Sequence, residues 1–173
     1  MLSILVCIFF VILCFLLQCT VFPSLDFGGI IPNLMIIVTA SYGFMRGRKA
    51  GLMVGFFSGL LIDIFFGNIL GFSACIYMYI GYLNGIFRKM FYPEDIKLPI
   101  ALIVGSDCLC NIVIYILTFL LKGRFQFMLY VHNIIIPEMV YTIIVTCVLY
   151  PLLLLVESRL EWREKEGASK IVS

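Results

Sequence analysis

From Leu2 to Phe22 the chain carries no charged side chain, and long apolar runs of the same kind recur as far as Val156 with only short polar breaks between them. A helix rises about 1.5 Å per residue and a bilayer hydrocarbon core is about 30 Å thick, so roughly 20 apolar residues suffice to cross it. Composition points the same way. The chain is 63% hydrophobic and 13% charged, where a soluble domain is about 45–50% apolar and about 25% charged. A polytopic, all-α integral membrane protein is the expected class. The first run has no basic leader and no small-residue cleavage site, and it exceeds the apolar stretch of about 7–15 residues typical of a signal peptide. It reads as the first spanning helix.

Six spans are predicted, at about residues 2–22, 30–45, 50–66, 69–87, 98–121 and 130–156, followed by a polar tail, 157–173. The breaks are a turn-rich link from Pro23 to Gly29, the basic triplet Arg46, Arg48 and Lys49, a Gly67-Asn68 turn, a polar loop from Arg88 to Lys97, and a loop beginning Lys122-Gly123-Arg124. Pro137 marks the expected kink in the last span. Glu161 and Lys165, at a favourable i,i+4 spacing, favour a helical start to the tail, and Trp162 there is an interfacial anchor or a protein contact. The tail is too short to be a domain, so any chemistry has to sit between helices.

Orientation follows from Lys and Arg, which concentrate on cytoplasmic loops. With six spans, Arg46, Arg48, Lys49, Arg88, Lys89, Lys97, Arg159, Arg163, Lys165 and Lys170 share one side, leaving Lys122 and Arg124 of the twelve for the other. Both termini are then expected in the cytoplasm. The seven cysteines all lie in apolar runs, and the odd count without a CxxC suggests neither a disulfide framework nor a zinc site; they read as packing residues.

The least ordinary stretch is GFMRGRKAGLMVGFFSGLLIDIFFGNILG, residues 43–71. Gly43, Gly47, Gly51, Gly55 and Gly59 recur every four residues, and Asp63 follows in the same register. On one helix, Gly51, Gly55, Gly59 and Asp63 form a bare groove ending at an acid. Small residues let helix backbones approach closely in lipid, and an acid within a membrane rarely faces lipid. The groove is either a seat for a partner helix or an internal packing face. On the first alternative, Leu at Gly55 or Gly59 leaves the protein inserted but unable to hold the partner.

Other polar residues fall in stripes: Ser73, Tyr77, Gly81 and Asn84; Asp107, Asn111 and Tyr115; Glu138, Thr142 and Thr146. Such stripes turn inward. Asp107, Asn111, Glu138 and Thr142 are the candidate inward-facing set, as interhelical hydrogen bonds, the lining of a solute cavity, or a proton or ion path. Catalysis finds little support: the single histidine, His132, sits near an interface, and no GxSxG, P-loop or HExxH motif occurs. Asp107 and Glu138 could in principle pair as acid and base, but nothing in their spacing asks for it. The basic clusters are explained by topology rather than by nucleic acid.

Gln18-x-Thr20, Pro32-Asn33-Leu34, the GxxxGxxxG run Gly51–Gly59 with Leu60 and Asp63, and then Gly67, Gly71 and Gly81 resemble the rod-shape-determining membrane protein family MreD. The resemblance implies a six-helix bundle similar to the substrate-binding subunits of energy-coupling-factor transporters. It also implies a non-enzymatic component of the bacterial cell-elongation machinery, without a cofactor, in the plasma membrane. Its implied partners are an MreC-like single-span protein and, through it, a RodA-type glycosyltransferase and a class-B penicillin-binding protein, alongside MreB filaments. It assigns no role to Asp107 or Glu138. The alternative is a vitamin-binding transporter subunit, in which Asp63, His132 and Glu138 would line the pocket.

Overall fold

The computed structural model describes residues 2–24, 30–67, 69–90, 97–122 and 131–172, with side chains except at 2, 3, 90, 118–122, 133, 161 and 163–172. The link at 25–29, Asn68, the loop at 91–96, Gly123 with Arg124, and the side chains of Lys122, Asn133, Glu161, Arg163, Lys165 and Lys170 lie outside the described residues.

All described secondary structure is helical. Helix α1, Leu2–Leu16, continues through a π-helical segment, Leu17–Val21, into Phe22–Ser24. Helix α2 is Leu34–Arg46, α3 is Arg48–Phe66, α4 is Phe72–Ile86 and α5 is Lys97–Lys122. Helix α6, Ile136–Val172, follows a second π segment, Val131–Ile135. Among the described residues, four stretches are long and apolar enough to cross a membrane: Ile4–Ser24, Arg48–Phe66, Lys97–Leu117 and Ile136–Leu160.

The centre of the bundle is α2. Its thirteen residues span only about 20 Å at 1.5 Å per residue, short of the hydrocarbon thickness. Every residue from Leu34 to Met45 is buried, and among the described elements α2 packs against each of α1, α3, α4, α5 and α6. A helix enclosed on all sides has to be apolar or small all round. The sequence LMIIVTASYGFM meets that condition, with Thr39 and Ser41 as small polar exceptions. Asn33 caps its start, Oδ1 accepting from the Ile36 N–H at 3.4 Å. Gly47 ends it with φ 97°, a left-handed value that favours glycine, and donates to the Gly43 carbonyl at 2.8 Å.

The glycine ladder is therefore not one helix. Gly43 lies on α2, Gly47 is the corner, and Gly51, Gly55 and Gly59 lie on α3. Helices α3 and α4 are joined by the short turn after Gly67 and form the closest pair in the bundle. The last helix continues into the tail, in line with the Glu161–Lys165 spacing, but its irregular turn is not where a kink at Pro137 was expected. It runs unbroken to Val172, so the tail is its continuation. Trp162 on that continuation is 64% exposed. Pro137 is the second residue of α6, and the irregular turn is the π segment just before it. Proline lacks an N–H and its ring crowds the carbonyl four residues earlier, which the wider turn relieves. Pro151 is the proline inside the helix.

Candidate functional site: a filled glycine face and a buried polar cluster

On α3 the buried residues are Gly51, Val54, Gly55, Ser58, Gly59 and Asp63, a stripe at three- and four-residue steps. Opposite it stand Ala74, Tyr77 and Gly81 of α4. A Cβ built on Gly51 would strike the Gly81 carbonyl oxygen, one on Gly55 the Tyr77 carbonyl oxygen, and one on Gly59 would lie 2.5 Å from the Ala74 Cα. The relation is mutual, since a Cβ on Gly81 would strike the Gly51 carbonyl oxygen. Gly43 of α2 meets the Gly81 carbonyl from another side, at 2.6 Å for its added Cβ. The groove is thus filled by the chain's own α4, backbone against backbone, and has no room for a partner helix in this conformation. Of the two occupants the sequence left open, internal packing is the one these contacts describe.

Asp63 ends this stripe at 2% exposure. Its carboxylate crosses the turn and caps α4. Oδ2 accepts from the Gly71 N–H at 2.9 Å and the Ala74 N–H at 3.0 Å, and Oδ1 accepts from the Ser73 N–H at 3.0 Å. Gly71, the local cap position, has φ 93° and no side chain to do this work. A helix start has unpaired N–H groups and the positive end of its dipole, so an acid supplied by the previous helix satisfies both. Both oxygens are engaged by this chain's own backbone.

The second group of polar residues gathers at the other helix start, that of α2. Gln18 in the first π segment accepts from the Met35 N–H at 3.2 Å. Tyr77 donates its hydroxyl to Asn33 Oδ1 at 2.9 Å, and the Asn33 N–H points to Thr142 Oγ1 at 3.5 Å. Asp107 adjoins Thr142, and Glu138 adjoins Asn111 and lies near Asp107. Asp107 and Thr142 have no exposed surface and Asn111 is 6% exposed, whereas Glu138 is half-buried. Neither Asp107 oxygen nor Asn111 Nδ2 meets hydrogen-bond geometry with any described group. One cluster therefore draws on α1, α2, α4, α5 and α6. It can hold helices together or hydrogen-bond a polar solute; nothing in it pairs a nucleophile with a base. Ser106 extends the polar contact between α4 and α5, accepting from Asn84 Nδ2 at 2.6 Å while donating to the Leu102 carbonyl at 2.7 Å. Among the described residues no group of three or more His, Cys, Asp and Glu could hold a metal ion.

One contact had no expectation behind it. Arg46, at the end of α2, pairs with Glu157 of α6. Their side chains are 23% and 5% exposed. In the sequence the two look like a loop cation and the first tail residue. The available signal was that Glu157 directly follows an apolar run, where a lone acid calls for a partner.

No curated protein matches this chain, and no solved structure does. The family model for rod shape-determining protein MreD matches residues 1–158, and the chain belongs to the MreD family, whose role is the determination of rod shape.

Proposed function

We propose that this protein is a non-enzymatic membrane scaffold of the cell-elongation machinery. It holds an MreC-like single-span partner and, through it, helps to position a RodA-type glycosyltransferase and a class-B penicillin-binding protein. The observation that carries this reading is the family match over residues 1–158. All six helices cross the bilayer, in an arrangement resembling the substrate-binding subunits of energy-coupling-factor transporters, with residues 1–156 as the transmembrane domain and 157–173 as a cytoplasmic extension. The short α2 is sheltered by its neighbours along its length, which supports a crossing despite its thirteen residues. Six alternating helices give Arg46, Lys49, Arg88, Lys97 and Arg159 a common end, which supports cytoplasmic termini.

With the glycine face occupied by α4, the partner helix sits on the outward surface of the bundle. Dispersion and close packing are the attractions available there. Co-purification from native membranes tests the reading. An MreC-like single-span protein recovered with the tagged chain, without a bound small molecule, is the expected result. A stoichiometric vitamin-like ligand with no such partner would instead favour the transporter alternative.

A further inference from the structure

Between α1 and α3, beside the buried Tyr42 of α2, lies a groove of about 660 Å³. Ile8 and Ile12 form one wall, Met53 and Phe57 the other, Tyr42 lies at its floor, and Lys49 stands at one end. The wall residues are 48–54% exposed, so the groove opens sideways, towards lipid in a membrane-embedded bundle. On the α3 side it extends from Lys49 to Ile64, about 22 Å at 1.5 Å per residue. That is more than one leaflet of a hydrocarbon core about 30 Å thick.

Size and charge together select the occupant. A spanning helix about 10–12 Å across and about 30 Å long fills roughly 2,500 Å³ or more, several times the groove. A single acyl chain is narrow enough to lie in it, and apolar walls in lipid favour hydrocarbon over water. At the mouth, Arg46 is committed to Glu157, whereas the exposed Lys49 ends the groove. A cation at the membrane surface, above an apolar slot between helices, is suited to an anionic headgroup. We propose that this groove binds an anionic phospholipid, one acyl chain lying between α1 and α3 and the headgroup phosphate meeting Lys49. The proposal rests on the chain being membrane-embedded and is independent of any protein partner.

The test uses the purified full-length chain, delipidated and supplied with phosphatidylglycerol or phosphatidylcholine of identical acyl chains, with retained lipid counted by native mass spectrometry. Phosphatidylglycerol should be retained about fivefold over phosphatidylcholine, the preference expected of one lysine near the headgroup. Lys49→Gln should bring the ratio close to one while keeping both lipids. Ile8→Trp and Met53→Trp, which fill the slot from opposite walls, should each reduce retention of both. Lys89→Gln, an exposed cation at the same end of the bundle, should change nothing. Equal retention of the two lipids by the unaltered chain would overturn the proposal. So would a preference that survives Lys49→Gln or is lost equally in Lys89→Gln, or undiminished retention in a correctly folded tryptophan variant. Partner recovery from the same variants is scored separately, so failure here leaves the scaffold reading standing.

Discussion

The carboxylate of Asp63 on α3 accepts the Ala74 N–H of α4 at 3.0 Å, across a turn that joins the two closest-packed helices. Two more N–H groups, from Gly71 and Ser73, converge on the same carboxylate. Hydrogen bonds to a charged acceptor contribute about 1.5–3 kcal/mol each, and leaving buried donors unpaired adds a penalty. Asp63→Ala should therefore cost about 3 kcal/mol or more and sharply lower the amount of folded protein. Asp63→Asn, with a single acceptor oxygen, should fall between. Thermal unfolding of the purified variants in detergent checks the order; equal stability of all three proteins would contradict the capping role.

Arg46 and Glu157 tie the central helix to the last one. Removing one partner of a buried ion pair costs about 3–5 kcal/mol, and the partial exposure of Arg46 places this pair at or below the lower end. Glu157→Ala and Arg46→Ala should each destabilise the bundle. The exchanged double variant Arg46→Glu with Glu157→Arg should recover part of the loss. A double-mutant cycle gives the coupling directly, and a coupling near zero would show that the pair contributes nothing.

How much of this was legible beforehand follows from the reach of each signal. Apolar runs are local, and helices lie where the runs lie: the stretch read as 50–66 is helical over Arg48–Phe66. Asp107 with Asn111, and Thr142 with Thr146, are buried at two four-residue spacings visible in the sequence. Three features were not legible because they depend on distant chain. Nothing near Gly51 says that Gly81 will face it. Asp63 reads as an acid at the end of a groove until the side-chain-free cap at Gly71 is seen to need it. The run through Leu34 resembles any apolar span, and only its short length hints at a helix enclosed by five others. The corner at Gly47 splits the four-residue ladder between two helices, where the basic triplet already marked a break.

Neither Asp107 oxygen meets hydrogen-bond geometry with a described group, and Thr142 of α6 adjoins it. An amide of the same shape should therefore fit where the carboxylate sits. Asp107→Asn should insert at normal level and restore rod shape to cells lacking the native protein, as expected if the residue only helps to join helices. A stable Asp107→Asn protein that fails to restore shape would assign the carboxylate an active role in carrying a proton or ion.

Both termini should face the cytoplasm. On a background with all seven native cysteines replaced, single cysteines at positions 48 and 165 should be shielded from an impermeant thiol reagent in intact cells, and one at position 124 should react. Reaction from outside at 48 or 165, with protection at 124, would invert or break the six-crossing arrangement.

The glycine face of α3 packs as an internal joint against α4. Gly51, Gly55 and Gly59 touch the α4 backbone so closely that even a methyl group collides, so a leucine has to force apart a pair on which the rest of the bundle rests. The most direct measurement is membrane abundance and thermal stability of Gly51→Leu and Gly55→Leu, with partner recovery followed in parallel. Cys75→Leu, on an exposed position of α4, serves as the control. Both glycine variants should lose folded protein and the control should not, with partner recovery falling only in proportion to the protein remaining. Glycine variants that stay abundant and stable but no longer recover the partner would contradict the internal joint, and would return the groove to a partner helix.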